Sequence, residues 1–235
     1  MKISIAIPAY EYKGYGEECL EYSFSRIEKQ TFKDFEVVVS DHSVDERIKN
    51  LCTRWEDKFD IKYYSFEEKR GNPAANMNNA IRNSNGEWIK ILCQDDYFLY
   101  DNSLEVTTKQ LTDGVSWFAS AYLHTYDRKS YQQYHSPYLN PQIFISNTIG
   151  TPSCVTIKNI KPIMEFDENL FYAYDCEYYY RYLLKYGNPS FSTDTTIANY
   201  LWENSITSQL TEEILGKESN YILKKHGFIN ENQPS

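Results

Sequence analysis

The sequence predicts an α/β fold, a mostly parallel central sheet with helices on both faces and a small antiparallel extension. Three observations lead there. Over residues 1–92, four short apolar runs alternate with stretches of helical periodicity, the order of a sheet whose strands are joined by helical crossovers. The run Phe35-Glu36-Val37-Val38-Val39 is nearly continuous in apolar character, as in strands covered on both faces. Acidic residues stand directly after two of the strands, where open α/β sheets bind their ligands.

Taken in order, Ile3-Ser4-Ile5-Ala6-Ile7 places β-branched residues at alternate positions, a strand that Pro8 ends. Residues 15–29 carry Cys19, Leu20, Ser23, Phe24 and Ile27 at steps of three and four, one face of a helix. The apolar run at 35–39 follows, then a helix over 45–55, a strand over 61–64 and a helix over 74–83 opened by Gly71 and Pro73. A fourth strand, 88–92, runs straight into Gln94-Asp95-Asp96. The second half is less regular. Residues 115–126 predict a strand or hairpin. Residues 131–140, polar and aromatic with Pro137, predict a loop, less ordered without ligand. A strand at 154–157, helices at 175–186 and 212–225, and a polar tail at 230–235 complete the reading. No internal repeat and no linker-like composition divides the chain, so one domain spans 1–235, in parts 1–100, 101–210 and 211–235.

Composition narrows the function classes. With 41% hydrophobic and 24% charged residues in 235, the chain is globular. The net charge of −9 argues against nucleic acid, whose phosphates need clustered Lys and Arg. Five cysteines without a CxxC pair indicate neither a disulfide framework nor a zinc site. No apolar run reaches the length of a transmembrane helix, and Pro8 interrupts the N-terminal run too early for a signal peptide, so a cytoplasmic location is expected. Tyrosine, at 22 residues, is the outlier; its ring suits both a core rim and the apolar face of a sugar.

Five segments, in order, resemble the family 2 glycosyltransferases of the GT-A fold. Ile3 to Tyr10 resembles the first strand and its P-T/A-Y turn, and the block from Gln30 to Asp45 resembles Q-T-Y/F-x-D-F-E-V-x-V-x-D-D-G-S-x-D. Ala75-Asn76-Met77-Asn78 with Gly86-Glu87-Trp88-Ile89 resembles the next helix and strand, Gln94-Asp95-Asp96 stands at the D-x-D position, and Asp167-Glu168 with Asp175-Cys176-Glu177 and Arg181 resembles the F-D-E…E-D-x-D/E-x-x-x-R stretch. The resemblance implies a GT-A-like sheet whose residues 1–100 bind a nucleotide sugar and whose residues 101–210 bind the acceptor. It implies an inverting, hexosyltransferase-type reaction of polysaccharide biosynthesis, from a nucleoside diphosphate sugar, UDP-linked, to a glycan or lipid-linked sugar, with peripheral membrane contact compatible with the second acceptor.

The resemblance also implies roles. Pro8, Ala9, Tyr10, Asp41, Asn78 and Asp95 bind the donor, Asp96 ligates Mn²⁺ or Mg²⁺, and Asp175 is the general base, with Glu177 and Asp167 next in line. The chemistry suits these residue types. A departing diphosphate gains negative charge, which a carboxylate-held divalent cation offsets, and hard cations take oxygen ligands. An attacking hydroxyl must lose its proton to a positioned base. Each residue also has an ordinary role: an Asp pair often caps a turn, an Asp at a helix start complements the dipole, and Tyr10 packs over a strand end. Three departures stand out: Ser40 and His42 replace Asp and Gly, Tyr174 replaces Glu, and Trp202 stands near a position where many relatives carry His. They favour a rival reading, a catalytically silent nucleotide-sugar or glycan-binding module. A nucleotidyltransferase is a second rival, but Tyr10-Glu11-Tyr12-Lys13-Gly14 is not a Gly-rich basic phosphate loop.

Overall fold

The computed structural model describes residues 2–202, 205 and 210–229; residues 203–204 of the segment around Trp202 and the tail at 230–235 lie outside them. The predicted alternation forms. Strands β1 (Ile3–Ala9), β2 (Phe35–Asp41), β3 (Ile61–Ser65) and β4 (Trp88–Ile91) are joined by helices α1 (Tyr15–Glu28), α2 (Arg47–Trp55) and α3 (Pro73–Arg82). All four strands are parallel, in the order β3-β2-β1-β4, with Ile3 opposite Phe35 and Trp88. β1 and β2 are buried almost throughout, which is why β2 reads as an unbroken apolar run. α1 turns Cys19, Leu20, Phe24 and Ile27 inward, as its periodicity predicts. α3 begins where Asn72 accepts a hydrogen bond from Ala75 N, with Pro73 in the first turn.

Beyond β4 the chain passes through β5 (Tyr97–Phe98), α4 (Ser103–Thr108), β6 (Trp117–Thr125), β7 (Gln132–His135) and a 3₁₀ turn (Pro152–Cys154). β8 (Val155–Lys158), α5 (Tyr174–Tyr186), β9 (Ser190–Tyr200) and α6 (Glu212–Lys225) follow. The sheet continues from β4 as β8-β6-β9-β5, with β7 on β6. β8 is antiparallel to both β4 and β6, so β6, and β9 parallel to it, run in the direction of β4. Only β5, β7 and β8 oppose the rest, the antiparallel extension that the sequence predicts.

Residues 132–135 correct the loop expected at 131–140: they pair with β6, His135 opposite Tyr122. The sequence reading assigns nothing to β9, although it is the longest strand. Its residues, Ser190 to Tyr200, are mostly polar, and only Ser192 and the stretch Thr196–Ala198 are deeply buried. Alternating Ser and Thr ending in Thr196-Ile197 is the β-branched signal that marks it. Trp88, Trp117, Tyr178, Tyr179 and Tyr182 are fully buried in the main core, so part of the tyrosine excess is structural.

Candidate active site

A cleft of 550 Å³ opens beyond the carboxyl ends of β1, β2 and β4, within the size range of small-molecule sites. Pro8 and Tyr10 line it from β1, His42 from β2, Asn76 from α3 and Cys93 to Asp96 from β4. Tyr10 is held in place by a side chain that mimics backbone. The Gln94 amide accepts from Tyr10 N at 2.8 Å and donates to Tyr10 O at 3.0 Å, extending the β1–β4 pairing past the strand ends. Gly16 allows this packing, because a Cβ there would lie 2.5 Å from Tyr10 O. Glu11 fixes the same loop from below, accepting from Gly14 N and Glu17 N.

Asp41 ends β2 almost fully buried, and its carboxylate is engaged by Ser43 N and the Tyr63 hydroxyl, each at 2.8 Å. Burial raises its pKa. Ser40, where the aspartate pair is broken, donates to Asn76 Oδ1 at 2.6 Å and accepts from Asn79, tying β2 to α3. His42 stacks on Phe66 and accepts from Gly71 N through Nδ1.

Asp95 and Asp96 follow β4 side by side, but they face different surroundings. Asp96 is 1% exposed. Its Oδ1 accepts from Asn199 Nδ2 at 2.7 Å and Tyr200 N at 3.1 Å, and its Oδ2 from the Thr151 hydroxyl at 3.2 Å. It is thus a pin between the β4 end and the β9 end. Asp95 is half-buried, with Oδ2 accepting from Trp202 Nε1 at 3.1 Å. Trp202 is itself packed on Tyr15, with ring centroids 5.0 Å apart. Burial raises both carboxyls, and Asp95 pushes Asp96 further. Behind the pair, buried Lys90 donates to Ser153 O, and Ser153 Oγ accepts from Cys93 N. Burial lowers the Lys90 ammonium to about 8.

The opposite wall carries the second kind of carboxylate. Asp175 stands in the first turn of α5, with Oδ2 accepting from Asn147 at 2.7 Å and Oδ1 from Cys176 N at 2.6 Å. Burial lifts its pKa to about 6. Asn147 is fixed by the Gly150 backbone, and Gly150 has φ +116 with Tyr122 so close that a Cβ would meet its ring at 2.5 Å. One cleft is therefore lined by a carboxylate pair beside the strand ends and by a lone carboxylate of raised pKa on α5.

The sequence signature of glycosyl transferase family 2 matches residues 4–171. The chain belongs to glycosyl transferase family 2. An uncharacterized glycosyltransferase of Rickettsia felis is 27% identical over 181 residues, covering 74% of this chain and 29% of that protein. The GalNAc(5)-diNAcBac-PP-undecaprenol beta-1,3-glucosyltransferase of Campylobacter jejuni is 29% identical over 116 residues, 49% of this chain and 36% of that one. The chain thus spans about a third of the length of such curated relatives. Among solved structures, TarS of Staphylococcus aureus in complex with UDP-GlcNAc superposes with TM-score 0.72 at 19% identity, over 94% of this chain and 65% of that one. The mannosyltransferase PcManGT of Pyrobaculum calidifontis, in complex with GDP-Man and Mn²⁺, gives 0.69 at 14%, over 99% and 66%. At those identities the likeness shows the GT-A fold.

Within this family 2 domain, Pro8, Tyr10, Asp95, Asp96 and Asp175 all line the one cleft. Ala9 does not: fully buried, it offers only its carbonyl, to Asn76 Nδ2 and His42 N. Asn78 is also fully buried away from it, donating to Phe166 O and Glu168 and accepting from Phe166 N. It staples α3 to the 166–168 segment, so its donor-binding role is replaced by a structural one. Asp41 does not line the cleft; it lies next to a smaller depression lined by Ser43, Tyr63 and Arg70. Glu177 and Asp167, next in line as base, are ion-paired. Glu177 is fully buried against Arg181, Lys225 and His226, and Asp167 binds Lys225 and Tyr221. Burial opposes ionisation of both, but these partners hold Glu177 low and Asp167 at about 2. Sequence reasoning missed Gln94, Asn147 and Asn199. Polar side chains that act by touching one backbone unit or one carboxylate leave no periodic trace.

A divalent cation fits the carboxylate pair. Two acidic side chains buried side by side repel one another, and Asp95 faces the cleft with an oxygen chemistry that suits Mn²⁺ or Mg²⁺. Among the described residues no cluster of three or more His, Cys, Asp or Glu joins them. Asp96, the ligand that the resemblance implies, has both oxygens engaged by Asn199, Tyr200 and Thr151, so the fit is to an ion held largely by Asp95, with Asp96 bracing the turn.

Proposed function

We propose that this domain transfers a sugar, with inversion, from a UDP-linked donor to a hydroxyl of a glycan or lipid-linked acceptor. The observation that carries the reading is that Asp175 lines the same cleft as Asp95 and Asp96, raised to about 6 and oriented by Asn147. A base with that pKa is ionised at neutral pH yet still accepts a proton readily.

The nucleotide lies along the strand ends, its base near Tyr10 and its diphosphate toward Asp95. The acceptor hydroxyl approaches Asp175. Its oxygen bonds to the anomeric carbon as the bond from that carbon to the phosphate oxygen breaks, and its proton passes to Asp175 Oδ. Asn147, donating to Oδ2, keeps the carboxylate turned toward the cleft. Asp95 would hold the cation, with Asp96 bracing its turn, and the cation would supply charge stabilisation for the departing diphosphate. Trp202 donates to Asp95 and so restricts its rotamer, a contact that histidine at this place would make differently. The C. jejuni relative's lipid-linked substrate and the UDP-GlcNAc of the TarS complex support the acceptor and donor classes.

A thermal-shift series across UDP, GDP, dTDP and CMP sugars, with and without Mn²⁺, tests the donor assignment, because a ligand that binds only the folded state raises apparent stability. The largest rise is expected for a UDP sugar with Mn²⁺. A larger rise with GDP sugars, or none that depends on the cation, rejects it.

A further inference from the structure

The family match ends at residue 171, yet the base-bearing helix and α6 lie beyond it. α5 starts without a side-chain cap of its own: Ala173 at its N-cap supplies none. The caps come from α6. Glu218, 9% exposed, accepts from Phe171 N at 2.7 Å, from Tyr172 N at 3.1 Å and from Ala173 N at 2.8 Å. Phe171, Tyr172 and Tyr174 line the cleft, and Asp175 follows directly. A carboxylate holding three consecutive backbone N–H groups fixes both the path of that segment and the direction of the helix, and it complements the helix dipole.

The same face of α6 makes further attachments one and two turns on. Tyr221 and Lys225 bind Asp167, and Lys225 also binds buried Glu177 at 2.6 Å. Ile222 is fully buried between them, packed with Phe144 and Leu170. Spacing of three, four and seven residues puts all of these on one stripe. α6 is thus docked along the segment that carries Asp175, with Glu218 as its contact nearest the base.

We propose that Glu218 is a positioning residue for Asp175: through the backbone of residues 171–173 it sets where the base stands relative to the cleft. The proposal rests on Asp175 being the base. It assigns α6 a part in turnover as well as in stability. Proton transfer is sensitive to placement, and a displacement of about 1 Å costs up to about a hundredfold in rate.

The test replaces Glu218 by Gln, which keeps the size but offers one acceptor oxygen in place of two and turns an NH₂ toward the N–H groups. Turnover is read as nucleotide release from UDP-GlcNAc, UDP-Glc and UDP-Gal with Mn²⁺ and water as acceptor, beside donor affinity by calorimetry. Glu218→Gln should lower kcat about tenfold and leave donor KM and affinity within about twofold. The double variant with Asp175→Asn should be no slower than Asp175→Asn alone, because the two act through one group. Glu213→Gln, an exposed α6 residue paired only with Lys217, serves as the unaffected control. Glu218→Asp, which keeps the charge but is too short to span all three N–H groups, should also be slow, and it carries the test if Glu218→Gln is unfolded. Wild-type kcat in the folded Glu218 variants, equal losses in kcat and donor affinity, or independent losses in the double variant overturn the proposal. If Asp175→Asn is slow while the Glu218 variants are not, only this inference falls; if Asp175→Asn itself turns over normally, the assignment of the base falls first.

Discussion

The two walls of the cleft are built in different ways. The donor wall is a row of parallel strand ends, and its residues are fixed by contacts between neighbouring strand ends and α3: Tyr10 by Gln94, Ser40 by Asn76, Asp96 by Asn199 and Tyr200. The base wall is a helix start and two loops, and its residues are fixed by partners from α6 and from Asn147. The first is braced by contacts among strand ends, the second by α6, which lies outside the residues that the family signature matches. In the proposed reaction the first side binds the donor and the second places the base.

The largest effect that separates the walls is expected at Asp175. Asp175→Asn keeps the volume and the bond from Asn147 but removes the basic oxygen, so transfer should fall by about two to four orders of magnitude. Donor affinity, measured by calorimetry, should stay close to wild type, and a matching loss of donor affinity would erase the distinction. Asp95→Asn makes the complementary change. Cation-dependent donor affinity should fall about tenfold or more, since an amide is a weak ligand for a hard cation, while affinity without Mn²⁺ changes little. The same affinity with and without Mn²⁺ in the wild type would remove the cation from the donor wall.

A third expectation concerns pH. Asp175 is raised to about 6 by burial, so kcat at saturating donor should fall about tenfold per pH unit below that value, and Asp175→Asn should lose this limb. Titration of Asp175 does not itself unfold the protein on acidification. A carboxyl raised in the folded state contributes stability that is present below its unfolded value and lost as pH rises through about 6, so acidification across that window strengthens its contribution. Asp167, held at about 2, loses its contribution progressively as pH falls from the ordinary carboxylate range toward 2. A flat kcat between pH 5 and 7 in folded protein sinks the assignment. The smallest effect is expected at Gln94→Ala, which frees Tyr10 but removes no charge: about a threefold to tenfold loss of donor affinity, the worth of roughly one neutral hydrogen bond, with kcat unchanged.

The same contrast explains what the sequence revealed. The parallel half was legible because its strands are buried on both faces and its helices show their periodicity, as in 35–39 and 15–29. Asp95, Asp96 and Asp175 were found through motif context, and all three reach the cleft. Asn78 matched the same context but is consumed by Phe166 and Glu168, because a motif position fixes a residue's place on a helix and not the direction of its amide. Motif context gave Asp95 and Asp96 separate roles but not their different burial, which depends on β9, a polar strand whose contacts to Asp96 come from about a hundred residues away and which no local pattern pairs with it. Residues 132–135 read as loop for the same reason, since their strand state comes from β6. Glu218 was one acid among several on an amphipathic helix, and only the folded chain brings it to three backbone N–H groups forty-odd residues away.

In the proposed single displacement, Asp175 takes the acceptor proton and no enzyme group attacks the sugar. The measurement that tests it most directly is the anomeric configuration of the first-formed product, followed by proton NMR during transfer from a UDP-α-sugar with Mn²⁺. Inversion to the β-anomer is predicted. Retention of the α configuration would contradict the account, because it requires a second displacement for which Asp175, acting as base on the acceptor, has no part.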